Sequence, residues 1–185
     1  IIPYGDSTSS TETFKEIIGR TDDAYNSDIY TEETGEGLFA MLYKFETQKY
    51  SQVWEKSDNT SRNQLVNIFE DKLLHWKQLI LDCENGEIPV ALGKTRGWFS
   101  KLIIGLCQKS PEFKDSLELW YPQDLVRVSY INPFQSGKPQ NLEQASPGQK
   151  TSAILAFALS HGNEPILLDQ PEDDLDSKII YDLVV

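Results

Sequence analysis

The sequence predicts an α/β chain with a helical subdomain, on three observations. Apolar residues recur at helical spacing from Leu38 to Leu106; a capped helix opens at "SPGQKTSAILAFALSHG"; and the apolar run "ILLD" stops against an acidic segment, "QPEDDLD". Spacings of three and four mark helices, and a short apolar run bounded by turn residues marks a buried strand.

The length of 185 residues suits one domain or a piece of something larger. We expect a piece of a longer polypeptide, because "IIPY" opens without an initiator Met and "SKIIYDLVV" stops with helical spacing still running. Lys and Arg number 17 against 29 Asp and Glu, a net charge of −12. A standalone nucleic-acid binder is therefore disfavoured, since neutralising phosphates needs a basic face. No apolar stretch reaches the roughly 18 residues of a membrane span and no signal peptide is visible, so a cytoplasmic location is expected. Cys83 and Cys107 have no metal-ligand spacing and read as buried thiols of a reducing compartment, with a single disulfide as the alternative.

Three segments are expected. Residues 1–35 form a polar N-terminal stretch, mostly loop, with one short helix around Glu12 to Gly19. Residues 36–110 form the helical subdomain. Its apolar sets are Leu38, Phe39, Leu42, Tyr43 and Phe45; then Leu65, Ile68, Phe69, Leu73, Trp76 and Ile80; then Trp98, Phe99, Leu102, Ile103 and Leu106. Asn59 or Ser61 is placed to cap the second helix and Asn85-Gly86 to end it. Aromatics at this spacing belong to a core. In residues 111–185, "LELWY" and "LVRVSYI" read as β-rich, "NPFQSGKPQN" as a turn, and the remainder as helix, tight turn, strand, acidic loop and helix.

The helix after "EQA" carries the clearest local chemistry. Ser146 and Gln149 fit a capping box, and Pro147 takes the first helical position, where its missing N–H costs nothing. Ala153 to Leu159 are apolar nearly all round, so the helix is expected to be buried; Gly162 and Pro165 end it. Its small, polar start would offer N–H groups and the positive dipole end to an anion, and Gly148 removes a side chain that would obstruct approach. Asp169 stands at the carboxyl end of the following strand, where open α/β sheets bind ligands and a carboxylate can hold Mg²⁺ opposite a phosphate. A plain capped helix and a solvated acidic loop are the simpler readings of each segment taken alone.

Together they read differently. Ser146 and Asp169 lie 23 residues apart, and Asp176 follows seven further on. "ASPGQ" and "ILLDQPEDDLD" resemble the signature motif, Walker B strand and D-loop of ABC-class ATPases ("LSGGQ…LLLDEPTSALD"), of the soluble SMC, RecF and RecN kind. The D-Q-P-E-D segment is similar to that of TrlF-like AAA-type ATPases. The resemblance covers residues 142–185, roughly a quarter of the chain, and its specificity comes from the two motifs in combination. It implies the C-terminal lobe of an ABC-class P-loop ATPase, truncated, with ATP held between two heads. Ser146, Gly148 and Gln149 would approach the nucleotide in trans, Asp169 would serve Mg²⁺, and Asp176 would lie at the seam of a homodimer. The implied partners are a second head and the upstream P-loop lobe of the same polypeptide. DNA stays open as a partner of the intact protein in DNA metabolism, repair or phage defence, and no membrane is implied.

Gln170 departs from the family, which usually carries a glutamate there. A glutamate polarises the attacking water and takes its proton, whereas an amide orients it, which suffices in some phosphoryl-transfer enzymes. Three readings stand: a slow natural ATPase using Gln170, a nucleotide-gated switch with negligible turnover, and an engineered Glu→Gln trap. Glu172 lies two residues past the strand end and is expected to face solvent.

A P-loop needs G-x-x-x-x-G-K-[ST]. "IPVALGKTRG" offers Gly93-Lys94-Thr95, but Ile88 stands at the leading glycine with Pro89 beside it. The true P-loop is expected upstream, so this chain alone should turn over little or no ATP. His161 is misplaced for the family's H-loop. An EF-hand at 169–176 lacks its turn glycine, and a hydrolase lacks G-x-S-x-G. A transporter ATPase is disfavoured by the aromatic-rich helical segment. The rival from another class is a degenerate, nucleotide-free interaction module.

Overall fold

The structure is a computed structural model that describes residues 1–45, 48–93, 95–131, 139–142 and 145–161. It divides into two compact units, Ile1–Val126 and Arg127–Val185.

The first unit opens with strand β1 (Ile2–Asp6) and helix α1 (Ser7–Ile17). Asp6 caps α1, its carboxylate accepting from the Ser9 N–H at 2.9 Å. A 3-10 turn (Asp23–Tyr25) leads to α2 (Asn26–Ile29), and α3 (Ala40–Tyr43) follows. Strands β2 (Lys44–Phe45) and β3 (Gln48–Lys49) make a small antiparallel pair ahead of α4 (Tyr50–Lys56) and the long α5 (Asn59–Asp82). After α5 come two 3-10 turns, α6 (Gly97–Lys109), α7 (Pro111–Leu119) and β4 (Gln123–Leu125). β4 returns to pair antiparallel with β1, so the two ends of the unit close on each other.

The N-terminal 34 residues are part of this core, not an appended loop. Phe14, Ile18 and Ile29 are fully or almost fully buried. Phe14 meets Phe39, Trp76 and Trp120 with ring centroids 5.3, 5.6 and 5.5 Å apart, in the edge-on geometry aromatic quadrupoles favour. Both buried indoles find acceptors: Trp76 Nε1 donates to Leu38 O at 2.8 Å and Trp120 Nε1 to Thr13 Oγ1 at 3.0 Å. Ser10 Oγ, also buried, accepts from Tyr43 Oη at 3.0 Å and from the Gln123 N–H at 2.8 Å, tying α1 to α3 and β4. The polar composition hid this core because many of its polar atoms are spent inside it.

The predicted helix over Asn59 to Gly86 is present. Asp58 is the cap, its carboxylate accepting from the Ser61 N–H at 2.8 Å. The chain leaves through a 3-10 turn to Gly86 at φ +92°, a left-handed conformation that suits glycine. Leu38 to Phe45 do not form one long helix; α3 spans a single turn and Lys44–Phe45 is extended. "LELWY" is not a strand either. Ser110 accepts from the Phe113 N–H at 3.2 Å, Pro111 starts α7, and Phe113 and Leu117 bury one face, so capping and spacing override β propensity. "LVRVSYI" is split between β4 and a later strand, and Val126 and Val128 between them are exposed.

In the second unit β5 (Ser129–Ile131) pairs antiparallel with β6 (Pro139–Asn141), and α8 runs Pro147–His161. All strand pairing among the described residues is antiparallel. The buried parallel strand expected at Ile166 to Leu168 lies outside the described residues. Among the described residues no helix is long and apolar enough to cross a membrane.

Candidate functional site

The site is the start of α8, reached from the β5–β6 hairpin. The Leu142 N–H donates to Val128 O at 2.8 Å, extending the ladder by one bond, and the Ala145 N–H, just ahead of Ser146, donates to Leu142 O at 3.1 Å. There the capping box forms in both directions. The Gln149 N–H donates to Ser146 Oγ at 3.3 Å, and the Ser146 N–H donates to Gln149 Oε1 at 3.0 Å. The Lys150 N–H closes the first turn on Ser146 O at 2.9 Å.

This box uses the acceptor side of both side chains. The Ser146 hydroxyl proton and the Gln149 carboxamide NH₂ remain outside it, as donors. Ser146 and Pro147 are exposed, and the first turn of α8 carries no Asp or Glu. An exposed helix start that has side-chain donors and no carboxylate in its first turn fits an anionic ligand. Gly148 and Gln149 are partly buried in the same turn. The three sequence-predicted contacts Ser146, Gly148 and Gln149 are thus brought together by one turn. Asp169, Gln170 and Asp176 lie outside the described residues, as do Gly162 and Pro165.

Burial of α8 on every face is not found. Leu155 is buried, but Ile154 and Phe157 are 61% and 65% exposed.

Gly93 follows a 3-10 turn and Thr95 precedes α6. Val90–Leu92 form a 3-10 turn where a phosphate-cradling loop would follow a strand, and Lys94 lies outside the described residues. Downstream, Arg96 is committed to buried Asp28. Its Nε donates to both carboxylate oxygens at 2.9 Å, and its guanidinium lies 4.6 Å from the Trp98 ring centroid. The sequence reading missed this bidentate pair because its members are 68 residues apart.

Cys83 and Cys107 are both buried free thiols. Burial raises their pKa values to about 11 and about 12, leaving them without thiolate character at neutral pH. Among the described residues, no group of three or more His, Cys, Asp or Glu could hold a metal ion. Comparison with known proteins found no matching family model, no matching curated protein and no matching solved structure.

Proposed function

We propose that the chain is the C-terminal part of an ATP-binding and ATP-hydrolysing enzyme of the ABC class, acting in DNA metabolism, repair or phage defence. The observation that carries this reading is the order of two segments. "SPGQ" opens a helix, and "ILLDQPEDDLD" follows it, in the order of the signature helix and Walker B strand that the two segments resemble. The reciprocal box between Ser146 and Gln149 supports it, because it fixes the helix start and leaves two side-chain donors for a phosphate.

In this reading, Ser146, Gly148 and Gln149 meet the triphosphate bound to a second head. Rigid donors aimed at transferring phosphoryl oxygens stabilise charge without reorganising during the reaction. Asp169 holds the Mg²⁺ that accompanies the nucleotide, an assignment that rests on the sequence alone. Gln170 orients the attacking water; it has no carboxylate to take the proton. Asp176 lies at the seam between heads. The missing carboxylate at Gln170 is also the one observation that favours a second reading, a nucleotide-gated switch that associates on ATP and turns over little.

The test is phosphate release by the intact polypeptide with Mg-ATP, set beside its self-association. Association and release together support the enzyme, and association without release supports the switch. If ATP drives neither, the interaction module is correct.

A further inference from the structure

The first unit holds a cleft of about 680 Å³, within the size range of small-molecule sites. One wall is the segment entering and leaving α3, with Glu36, Met41 and Lys44; the other is the middle of α5 with Lys72 and the 3-10 turn with Ala91. The walls meet at backbone. A Cβ on Gly93 would lie 3.5 Å from Gly37 O, and one on Gly37, at φ +112°, would come within 2.7 Å of Ile29 O. Glycine is therefore required at Gly37, and the cleft is bounded there by main chain.

The polar end of the cleft is positively charged. Lys72 is partly buried, with its Nζ 3.6 Å from the Phe45 ring centroid. One of its three donors is bonded to Lys44 O at 2.8 Å. Among the described residues neither Lys72 nor Lys44 has a carboxylate within ion-pairing distance. Burial holds the Lys72 ammonium below the usual lysine pKa, the direction expected of a desolvated cation that lacks a counter-charge. In a chain of net charge −12, two lysines on one concavity, Lys72 partly buried and Lys44 exposed, stand out against the surface average. Among the described lining residues these two ammoniums meet one carboxylate, that of Glu36. That matches a monoanion; a phosphate dianion or a nucleotide would bring negative charge against Glu36. The remainder of the lining, Met41 and Ala91 with the glycine backbone, suits a short hydrocarbon.

We propose that this cleft binds a small aliphatic monocarboxylate, with its carboxylate on Lys72 and Lys44 and its chain against Met41 and Ala91. The site shares no residue with the helix start that carries the proposed ATPase role, so either proposal stands or falls without the other.

The experiment is a titration of the ¹⁵N-labelled 185-residue chain with hexanoate, following the amide signals of Gly37 and Gly93. Neutral hexanol and inorganic phosphate serve as comparison probes at matched ionic strength. The site requires saturable shifts with hexanoate, and binding weaker by roughly tenfold or more in Lys72→Met, the loss expected for a charge-assisted hydrogen bond. Ala91→Phe, at an exposed rim position, should block the cleft while leaving the sequence of α5 unchanged, and it decides the matter if Lys72→Met fails to fold. Shifts that do not saturate, equal shifts with hexanol, tighter binding of phosphate, or unchanged binding in both variants would each overturn the proposal.

Discussion

Ser146 and Gln149 each hold the other's backbone amide: the serine hydroxyl accepts from the glutamine N–H at 3.3 Å and the glutamine carboxamide from the serine N–H at 3.0 Å. The pair sets where α8 begins and leaves both side chains with a donor to present. Stability and ligand binding can therefore be separated by substitution. Ser146→Ala removes the cap and should lower the stability of the helix start by about 1 kcal/mol. Ser146→Asp keeps a good cap but puts a carboxylate where the proposal puts a γ-phosphate. Thermal melting should leave the aspartate variant near wild type, and ATP-dependent association of the intact protein should be lost. If it associates normally, the helix start does not meet the nucleotide.

The acidic segment gives a second pair of variants, made in the intact protein. Asp169→Asn should abolish phosphate release through lost metal positioning. Gln170→Glu should leave release unchanged or speed it, because a carboxylate can both orient the water and take its proton. Steady-state phosphate assays decide, and a slower Gln170→Glu enzyme would defeat the water-orienting role.

Trp76 tests the first unit. Its ring is fully buried and its Nε1 is bonded to Leu38 O. Trp76→Phe should cost about 2 kcal/mol, from lost volume and an unpaired carbonyl, read as a fall of roughly 5–10 °C in Tm. A melt unchanged within a degree or so would mean the aromatic centre is looser than its geometry.

Alkali should lower the stability of the first unit, the thiols acting before the phenols. The thiols of Cys83 and Cys107 are raised to about 11 and about 12 by burial. A raised folded-state pKa gives stability that is whole below the unfolded value, about 8.5 for a thiol, and lost as pH rises through the folded one. Tyr4 and Tyr30, raised to about 12 chiefly by burial, act in the same direction from about pH 10 upward. Melting temperature should therefore begin to fall near pH 8.5 in the wild type and nearer pH 10 in a Cys83→Ala, Cys107→Ala variant. Identical profiles for the two proteins would remove the thiols from the account.

What could be read in advance was what lies close in sequence. The box at Ser146, the helix over Asn59 to Asp82 and its glycine exit all depend on residues within a turn of one another. The core role of the first 34 residues was hidden, because Phe14 packs against Phe39, Trp76 and Trp120, which no local pattern announces. Ser10 and Asp28 look like surface residues until Tyr43, Gln123 and Arg96 fold over them from far along the chain. The helix at Pro111 was misread because the β-branched and aromatic residues after it outweighed its cap. The lysine cleft left no trace in the sequence, since Lys44 and Lys72 come from separate elements and Gly37 and Gly93, which also line it, are unremarkable singly.

Sedimentation velocity of the intact polypeptide, with and without Mg-ATP, addresses the central claim most directly. The account predicts a shift to a two-head species only when nucleotide is present, reversed by Ser146→Asp. A sedimentation profile indifferent to ATP would contradict it.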